Sequence, residues 1–359
     1  MDPLRVAVLA GSPTAQQRLS DLFRPDATFA LVGQGATDAR AVHLVRATRP
    51  AVVALGVAPP DPHAIATAAA LMAEVPTPIL AVVDPARQAA RVAPELLACG
   101  VLEVVGWPSG SHAAQQQADL LARTKLLARV SVIRHPRGRP RGPGEPGGDA
   151  SIALGGTAPS GLVQPPLEIV GIVASTGGPP VLAQVLAELP ADFPAAVLVV
   201  QHIAAGFTAG LVHWLASACA LPIAVAQQDQ AIRPGEVLFA ADDRHLVVTA
   251  TRRVRLDDSP PRHHLRPCGD LLLASLAAVY GPRAAAVILT GMGADGVEGA
   301  RAVRNAGGRV LVQDEQTSVV FGMPQAAIKA QLADEILPPR ALGARLRALA
   351  QRGREGTSG

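Results

Sequence analysis

The feature that most constrains this chain is a rhythm: short apolar runs alternate with stretches of helical spacing. It appears first as RVAVLA then TAQQRLSDLF, FALVGQG then ARAVHLVRAT, AVVALGV then HAIATAAALMAE, PILAVVD then RVAPELLACG, and VLEVVGW then HAAQQQADLLARTKLLARV. A strand that reads as an unbroken apolar run is buried on both faces, and helical crossovers between parallel strands are what cover both. Five such pairs with short connections predict a doubly wound parallel α/β domain over residues 1–128. Residues 129–166 are Pro, Gly, Arg and Ser with little periodicity, which is linker composition. The rhythm then resumes over residues 167–352, with strands at EIVGIVAS, AAVLVVQH, IAVAQQ, EVLFAA, AAAVILTG and RVLVQD. HLVVTA is expected to pair with EVLFAA as a hairpin, and PVLAQVLAELP, GDLLLASLAAVYG and GVEGARAVRNAGG read as helices between strands.

At 359 residues each region can bury a core of its own. Hydrophobic residues make up 49% but aromatics only 3%, so those cores must be built from Ala, Val and Leu. The net charge of +3 comes largely from arginines, several of them in RHPRGRPRGPGEPGG of the linker. Without a basic face interleaved with aromatics, nucleic-acid binding is not expected. Cys99, Cys219 and Cys268 are scattered and lack metal-ligand spacing, so they read as small buried hydrophobes rather than disulfides or a zinc site. The apolar part of MDPLRVAVLAG is too short for a signal peptide, and no run approaches the ~20 apolar residues of a membrane span. Membrane insertion is therefore not expected, and a cytoplasmic location is.

Three strands of the second region run into chemically useful residues: EIVGIVA into Ser175, AAVLVVQ into His202, and AAAVILTGMGA into Asp295. In a parallel sheet the carboxyl ends share one edge, where ligands bind. A serine hydroxyl becomes a good nucleophile only beside a base, and an imidazole base needs a carboxylate to fix its tautomer. The turn after Ser175 adds the amides of Thr176, Gly177 and Gly178, expected to open a helix unpaired and to face an anion. Each residue also has an ordinary reading: Ser175 as a helix cap, His202 as a buried histidine, Asp295 as a turn residue. Their joint placement on three strand ends favours chemistry, although G-x-S-x-G is absent and the chain order differs from that of the α/β-hydrolases. Among the rivals, His213 in GLVHWLA is expected to pack, and His245, His263 and His264 to lie in polar connections. Asp242, Asp243 and Asp314 are alternative carboxylates.

Taken together, IVASTGGP, VVQHIAAGFT, LFAADDRHL, ILTGMGADG and DEQTSVVFGMPQAAI resemble the catalytic domain of bacterial chemotaxis protein-glutamate methylesterases, from Leu167 to about Ala327. The resemblance implies a three-layer α/β/α domain with a mainly parallel sheet. It assigns Ser175 as nucleophile, His202 as base, Asp295 as the orienting carboxylate, the N–H of Met292 as an oxyanion donor, and Thr176 as a supporting residue. It implies hydrolysis of γ-glutamyl methyl esters on methyl-accepting chemoreceptors, with release of methanol and, in some members, deamidation of receptor glutamines. The partners implied are those receptors and other chemotaxis signalling proteins; no metal or organic cofactor is implied. Two departures stand out: Ala204-Ala205 replaces a proline-rich continuation, and RPCGD, with Cys268 and Gly269, replaces an RPSVD-like motif. Neither is expected to touch the three catalytic positions, so both are expected to bear on substrate docking and not on the chemistry. A noncatalytic receptor-binding adaptor and a serine hydrolase of a small ester are the alternative functions.

In that family the first domain is a phosphorylatable receiver, of flavodoxin-like fold, which residues 1–128 resemble. A receiver pocket needs an acid pair for Mg²⁺, a phosphoacceptor aspartate, a hydroxyl and a lysine. Here Ala10 and Gly11 stand at the acid pair, Gly56 at the phosphoacceptor, Val83 at the hydroxyl and Trp107 at the lysine. Asp61 and Asp84 lie nearby, but Asp61 falls in a PPDP turn and Asp84 lacks partner acids. Control by aspartyl phosphorylation is therefore not expected.

Overall fold

The computed structural model describes residues 2–85, 88–129, 165–204, 206–217 and 219–351, so most of the expected linker at 129–166 lies outside the described residues. The chain divides into two compact units, 1–147 and 148–359.

In the first unit the expected rhythm forms β1 (Leu4–Ala10), α1 (Pro13–Phe23), β2 (Phe29–Gly35), α2 (Arg40–Thr48), β3 (Val52–Val57), α3 (Pro62–Glu74), β4 (Ile79–Val83), α4 (Ala89–Ala98), β5 (Glu103–Gly106) and α5 (Ala113–Leu127). Local chemistry sets the helix starts. Ser12 Oγ accepts the N–H of Ala15 with Pro13 in the first turn, and Asp61 accepts the N–H of Ala64 at 2.9 Å ahead of Pro62. All strand pairs are parallel in the order β2-β1-β3-β4-β5, the flavodoxin-like arrangement.

The second unit contains β6 (Ile169–Ala174), α6 (Gly178–Leu186), β7 (Ala196–Gln201), α7 (Thr208–Ala216), β8 (Ile223–Val225), β9 (Val237–Phe239), β10 (His245–Val248), β11 (Val254–Asp257), α8 (Gly269–Tyr280), β12 (Ala284–Ile288), α9 (Val297–Asn305), β13 (Arg309–Gln313), α10 (Met323–Lys329), β14 (Glu335–Leu337) and α11 (Pro339–Gln351). Seven strands form a parallel sheet, β14-β13-β12-β6-β7-β9-β8. Because strand side chains alternate, Val170, Ile172 and Ala174 pack on one face with α6, α7 and α11, while Ile169 and Val173 pack on the other with α8, α9 and α10. The result is the three-layer α/β/α arrangement. Gly171 sets the closest approach: a Cβ there would lie 2.5 Å from Leu273 of α8.

One pairing differs from expectation. EVLFAA does not form a hairpin with HLVVTA; its core, β9, lies inside the parallel sheet between β7 and β8. HLVVTA forms β10 and pairs antiparallel with β11, Leu246 opposite Leu256. The burial explains the choice, since Val237, Leu238 and Phe239 are all buried as an interior parallel strand requires.

Candidate active site

The register of the central strands brings the first two candidates together. Ala174 of β6 lies opposite Gln201 of β7, so Ser175 and His202 are the next residues on neighbouring strand ends. Backbone bonds fix both: the N–H of His202 donates to Ala174 O at 2.9 Å, and the N–H of Ser175 to Thr290 O at 3.0 Å. Gln201, nearly fully buried, ties the two corners, its Nε2 donating to Ser175 O at 2.8 Å and to His202 O at 2.9 Å. Its Oε1 is buried without a partner and packs against Gly178, where a Cβ would lie 2.0 Å away.

Asp295 enters from the loop between β12 and α9. Its Oδ2 lies 2.8 Å from His202 Nε2, with side chains only 3% and 10% exposed. The same carboxylate closes the N-terminus of α8, Oδ2 accepting from the N–H of Gly269 at 2.6 Å and Oδ1 from that of Asp270 at 3.0 Å. Cys268 Sγ is 3.1 Å from Oδ1. Burial alone would raise the Asp295 pKa, but the His202 hydrogen bond, the backbone donors and the thiol outweigh it and hold the carboxyl well below the usual carboxylate range. Burial pushes the neighbouring Asp270 carboxyl up, although its Oδ1 accepts the N–H of Gly299 at 2.9 Å. With Asp295 accepting a hydrogen bond from Nε2–H, Nδ1 is the imidazole nitrogen left to act as base. Ser175 follows the neighbouring strand end, and its Oγ makes no hydrogen bond among the described residues. The structure thus joins His202 to Asp295 and sets Ser175 alongside without a direct bond.

The supporting positions divide. Gly291 presses against the serine corner, where a Cβ would lie 2.6 Å from Ser175 Cβ, and so draws the loop bearing Met292 onto that corner. The Met292 side chain is 46% exposed. Thr176 is buried, and its carbonyl accepts Thr290 Oγ1 at 3.0 Å. Of the three amides expected to open α6 unpaired, that of Gly178 is already used, donating to Ser175 O at 2.8 Å.

Several rivals fall away. His213 does not pack, because α7 turns that position to solvent. His245 is not in a polar connection; it is fully buried at the start of β10, and its Nδ1 accepts the N–H of Cys268 at 3.1 Å. His263 and His264 are exposed in a turn at φ 51 and 65. Asp242 accepts from Gly206 N and Thr208 Oγ1, Asp243 pairs with Arg266 at 2.8 Å, and Asp314 accepts the N–H of Thr317. Cys99 and Cys219 are only partly buried; Cys268 alone of the three is buried. The RPCGD departure does touch one of the three positions, since Cys268, Gly269 and Asp270 all donate to Asp295. Cys268, Asp270 and Asp295 gather potential metal ligands within 4.8 Å, but the Asp295 oxygens already accept four donors and the thiol is held protonated, a set unlike a metal cage.

Residues that sequence reasoning did not single out are Gln201 and its counterpart Gln313. Gln313 is fully buried, its Oε1 accepting Thr290 N–H at 2.7 Å and its Nε2 donating to Thr317 O at 2.9 Å. The signal was available: each is the single carboxamide side chain of its strand and closes a run of apolar residues.

The corresponding edge of the first unit holds a cavity of about 540 Å³, with Gly11, Gly56 and Trp107 in its wall. Arg18 stacks over the Trp107 ring at 4.3 Å and pairs with Asp84 at 2.8 Å, while one Asp61 oxygen caps α3.

Fold and side chains together describe a three-layer α/β/α domain with a hydrolase-type serine, imidazole and carboxylate at the rim of its sheet. Residues 170–346 match the family model described as CheB methylesterase. The chain is 38% identical over 348 residues to "Protein-glutamate methylesterase/protein-glutamine glutaminase 4" of Myxococcus xanthus, covering 96% of each chain. It is 40% identical to "Protein-glutamate methylesterase/protein-glutamine glutaminase 3" of Anaeromyxobacter dehalogenans, over 96% of this chain and 98% of that one. The crystal structure of the Thermotoga maritima CheB methylesterase catalytic domain matches with a TM-score of 0.50 and 40% identity, covering 51% of this chain and 98% of that chain. The chain belongs to the CheB methylesterase family. No helix among the described residues is long and apolar enough to cross a membrane.

Proposed function

We propose that this chain is a protein-glutamate methylesterase that removes methyl groups from γ-glutamyl esters of chemoreceptors, and that deamidates receptor glutamines by the same chemistry. The observation that carries the reading is the 2.8 Å contact between His202 and the buried, ionised Asp295 at the strand end next to Ser175. Ser175 Oγ attacks the γ-carbonyl carbon and its proton passes to His202 Nδ1, which is free because Nε2 bonds Asp295. The tetrahedral oxyanion is held by backbone donors at the corner, the N–H groups of Met292 and Thr176. Collapse breaks the carbonyl–methoxy bond, and His202 returns its proton so that methanol leaves. Water, activated by the same imidazole, then hydrolyses the acyl-serine to give the glutamate carboxylate and free Ser175. With a glutamine substrate ammonia leaves in place of methanol.

The first unit is a receiver-like domain, joined through residues 129–166, that does not switch the esterase by aspartyl phosphorylation. Gly11, Gly56, Val83 and Trp107 in place of the pocket groups support this, together with the commitment of Asp84 to Arg18.

The test is methanol release from methylated receptor by the full chain and by Ser175→Ala. The reading expects the variant to lose about three orders of magnitude or more in kcat. Equal rates would indicate a noncatalytic adaptor. Ser175-dependent turnover of a small ester without turnover of receptor would indicate the small-ester hydrolase.

A further inference from the structure

Cys268 occupies the N-cap position of α8, in extended backbone (φ −115, ψ 127), where a serine or aspartate ordinarily accepts one of the free helix amides. Its side chain makes no capping hydrogen bond, although the N–H groups of Leu271 and Asp270 lie near the sulfur. The catalytic carboxylate caps the helix instead, taking the N–H groups of Gly269 and Asp270, and the Cys268 side chain is released to reach Asp295 Oδ1. The carboxylate therefore carries two donors on each oxygen: His202 and Gly269 on Oδ2, Asp270 and the thiol on Oδ1. His245 holds the other side of Cys268, its Nδ1 accepting the Cys268 N–H while Nε2 faces Pro260 O at 3.3 Å.

We propose that Cys268 is a positioning residue of the esterase: its S–H bond to Oδ1 fixes the rotation of the Asp295 carboxylate, so that Oδ2 faces His202. The inference rests on the catalytic reading of Ser175, His202 and Asp295. It replaces, for this one cysteine, the reading as a small buried hydrophobe. A thiol can serve here only while protonated. Burial, and then the Asp295 charge, push it up to about 12, so it remains a donor throughout any working pH range. Removing the bond leaves Oδ1 with one donor, loosens the carboxylate and concentrates its charge on the side facing the imidazole. The protonated imidazole is then favoured, and the acidic limb of the kcat/KM profile moves to higher pH. The other titratable group facing Asp295 is the Asp270 carboxyl, which the substitutions below leave in place.

The experiment compares Cys268→Ser, Cys268→Ala and Cys268→Val in the full chain, measuring kcat, KM and the pH profile of methanol release. Labelling of Ser175 by a fluorophosphonate gives a second readout that needs no receptor. A hydroxyl can replace the donor and an alkyl group cannot, so the expected order is Ser above Ala and Val. The serine variant should stay within about threefold of wild type, and the alkyl variants should lose about tenfold in kcat at unchanged KM, the scale of one hydrogen bond to a charged group. Their acidic limb should move to higher pH. A buried hydrophobe behaves in the opposite order, tolerating Ala and Val and suffering most from the buried hydroxyl. That order, or an unshifted acidic limb, overturns the proposal. If the alkyl variants do not fold, a Ser175 labelling rate in Cys268→Ser more than about threefold below wild type also overturns it, and one within about threefold supports it. Wild-type activity that depends on Ser175 but not on residue 268 defeats this inference alone; loss of Ser175 dependence defeats the catalytic reading beneath it.

Discussion

The two units are versions of one architecture with opposite contents. Each is a parallel sheet with helices on both faces, and each leaves an edge of carboxyl strand ends where side chains can converge. In the second unit those ends carry a serine, an imidazole and a carboxylate, the last two bonded to each other and backed by Gln201, Cys268 and the start of α8. In the first, glycine, valine and tryptophan stand at the equivalent ends, and the nearby charges are spent on structure: Asp61 caps a helix and Asp84 pairs with Arg18. The fold supplies the edge, and only the side chains placed there supply chemistry.

The comparison breaks most readily at the carboxylates. Asp295→Asn preserves volume but loses the charge that fixes the His202 tautomer, so kcat for methanol release should fall by about 10⁴. Asp61→Asn and Asp84→Asn should leave it within about twofold; a large loss in either would mean that the first edge serves catalysis. Next in size is Gln201→Ala, which frees two part-buried carbonyls, of Ser175 and His202. The expected loss is about 2 kcal/mol of stability, read by denaturant unfolding, with a tenfold or greater drop in kcat. Smaller still is Arg18→Ala in the first unit. The Arg18–Asp84 pair is half exposed, so with its stacking on Trp107 it should contribute no more than about 1 kcal/mol to melting, with methanol release unchanged. The smallest effect sharpens the contrast furthest. Incubation with acetyl phosphate and Mg²⁺ should leave no acid-labile phosphoryl group on the first unit and no change in esterase rate, and an adduct there would show that the edge still works as a receiver.

Much of this contrast was legible in the sequence because buried parallel strands announce themselves. An apolar run that stops on Ser175 or His202 marks both the strand and the edge residue, and the same logic located Gly56 and Trp107 at the edge of the first sheet, where both line its cavity. What escaped depends on contacts that local pattern does not encode. Whether His213 faces the core or solvent follows from the rotation of α7 on the sheet, and one short helix of apolar residues leaves that open. HLVVTA could satisfy its backbone with either neighbour, and the partner chosen followed from β9 being needed inside the sheet. Cys268 and Asp295 are brought together only by the packing of α8 against the β12–α9 loop, so the RPCGD segment looked remote from chemistry that it directly supports.

The central claim is that Ser175, His202 and Asp295 act as one unit at the edge of the second sheet. The most direct measurement is the rate at which a fluorophosphonate modifies the full chain, with the adduct mapped by peptide mass, in wild type and in His202→Gln. The account predicts a single adduct on the peptide bearing Ser175 and labelling slowed by about a hundredfold or more when the imidazole is replaced. Equal rates in the two proteins, or an adduct on another residue, would contradict it.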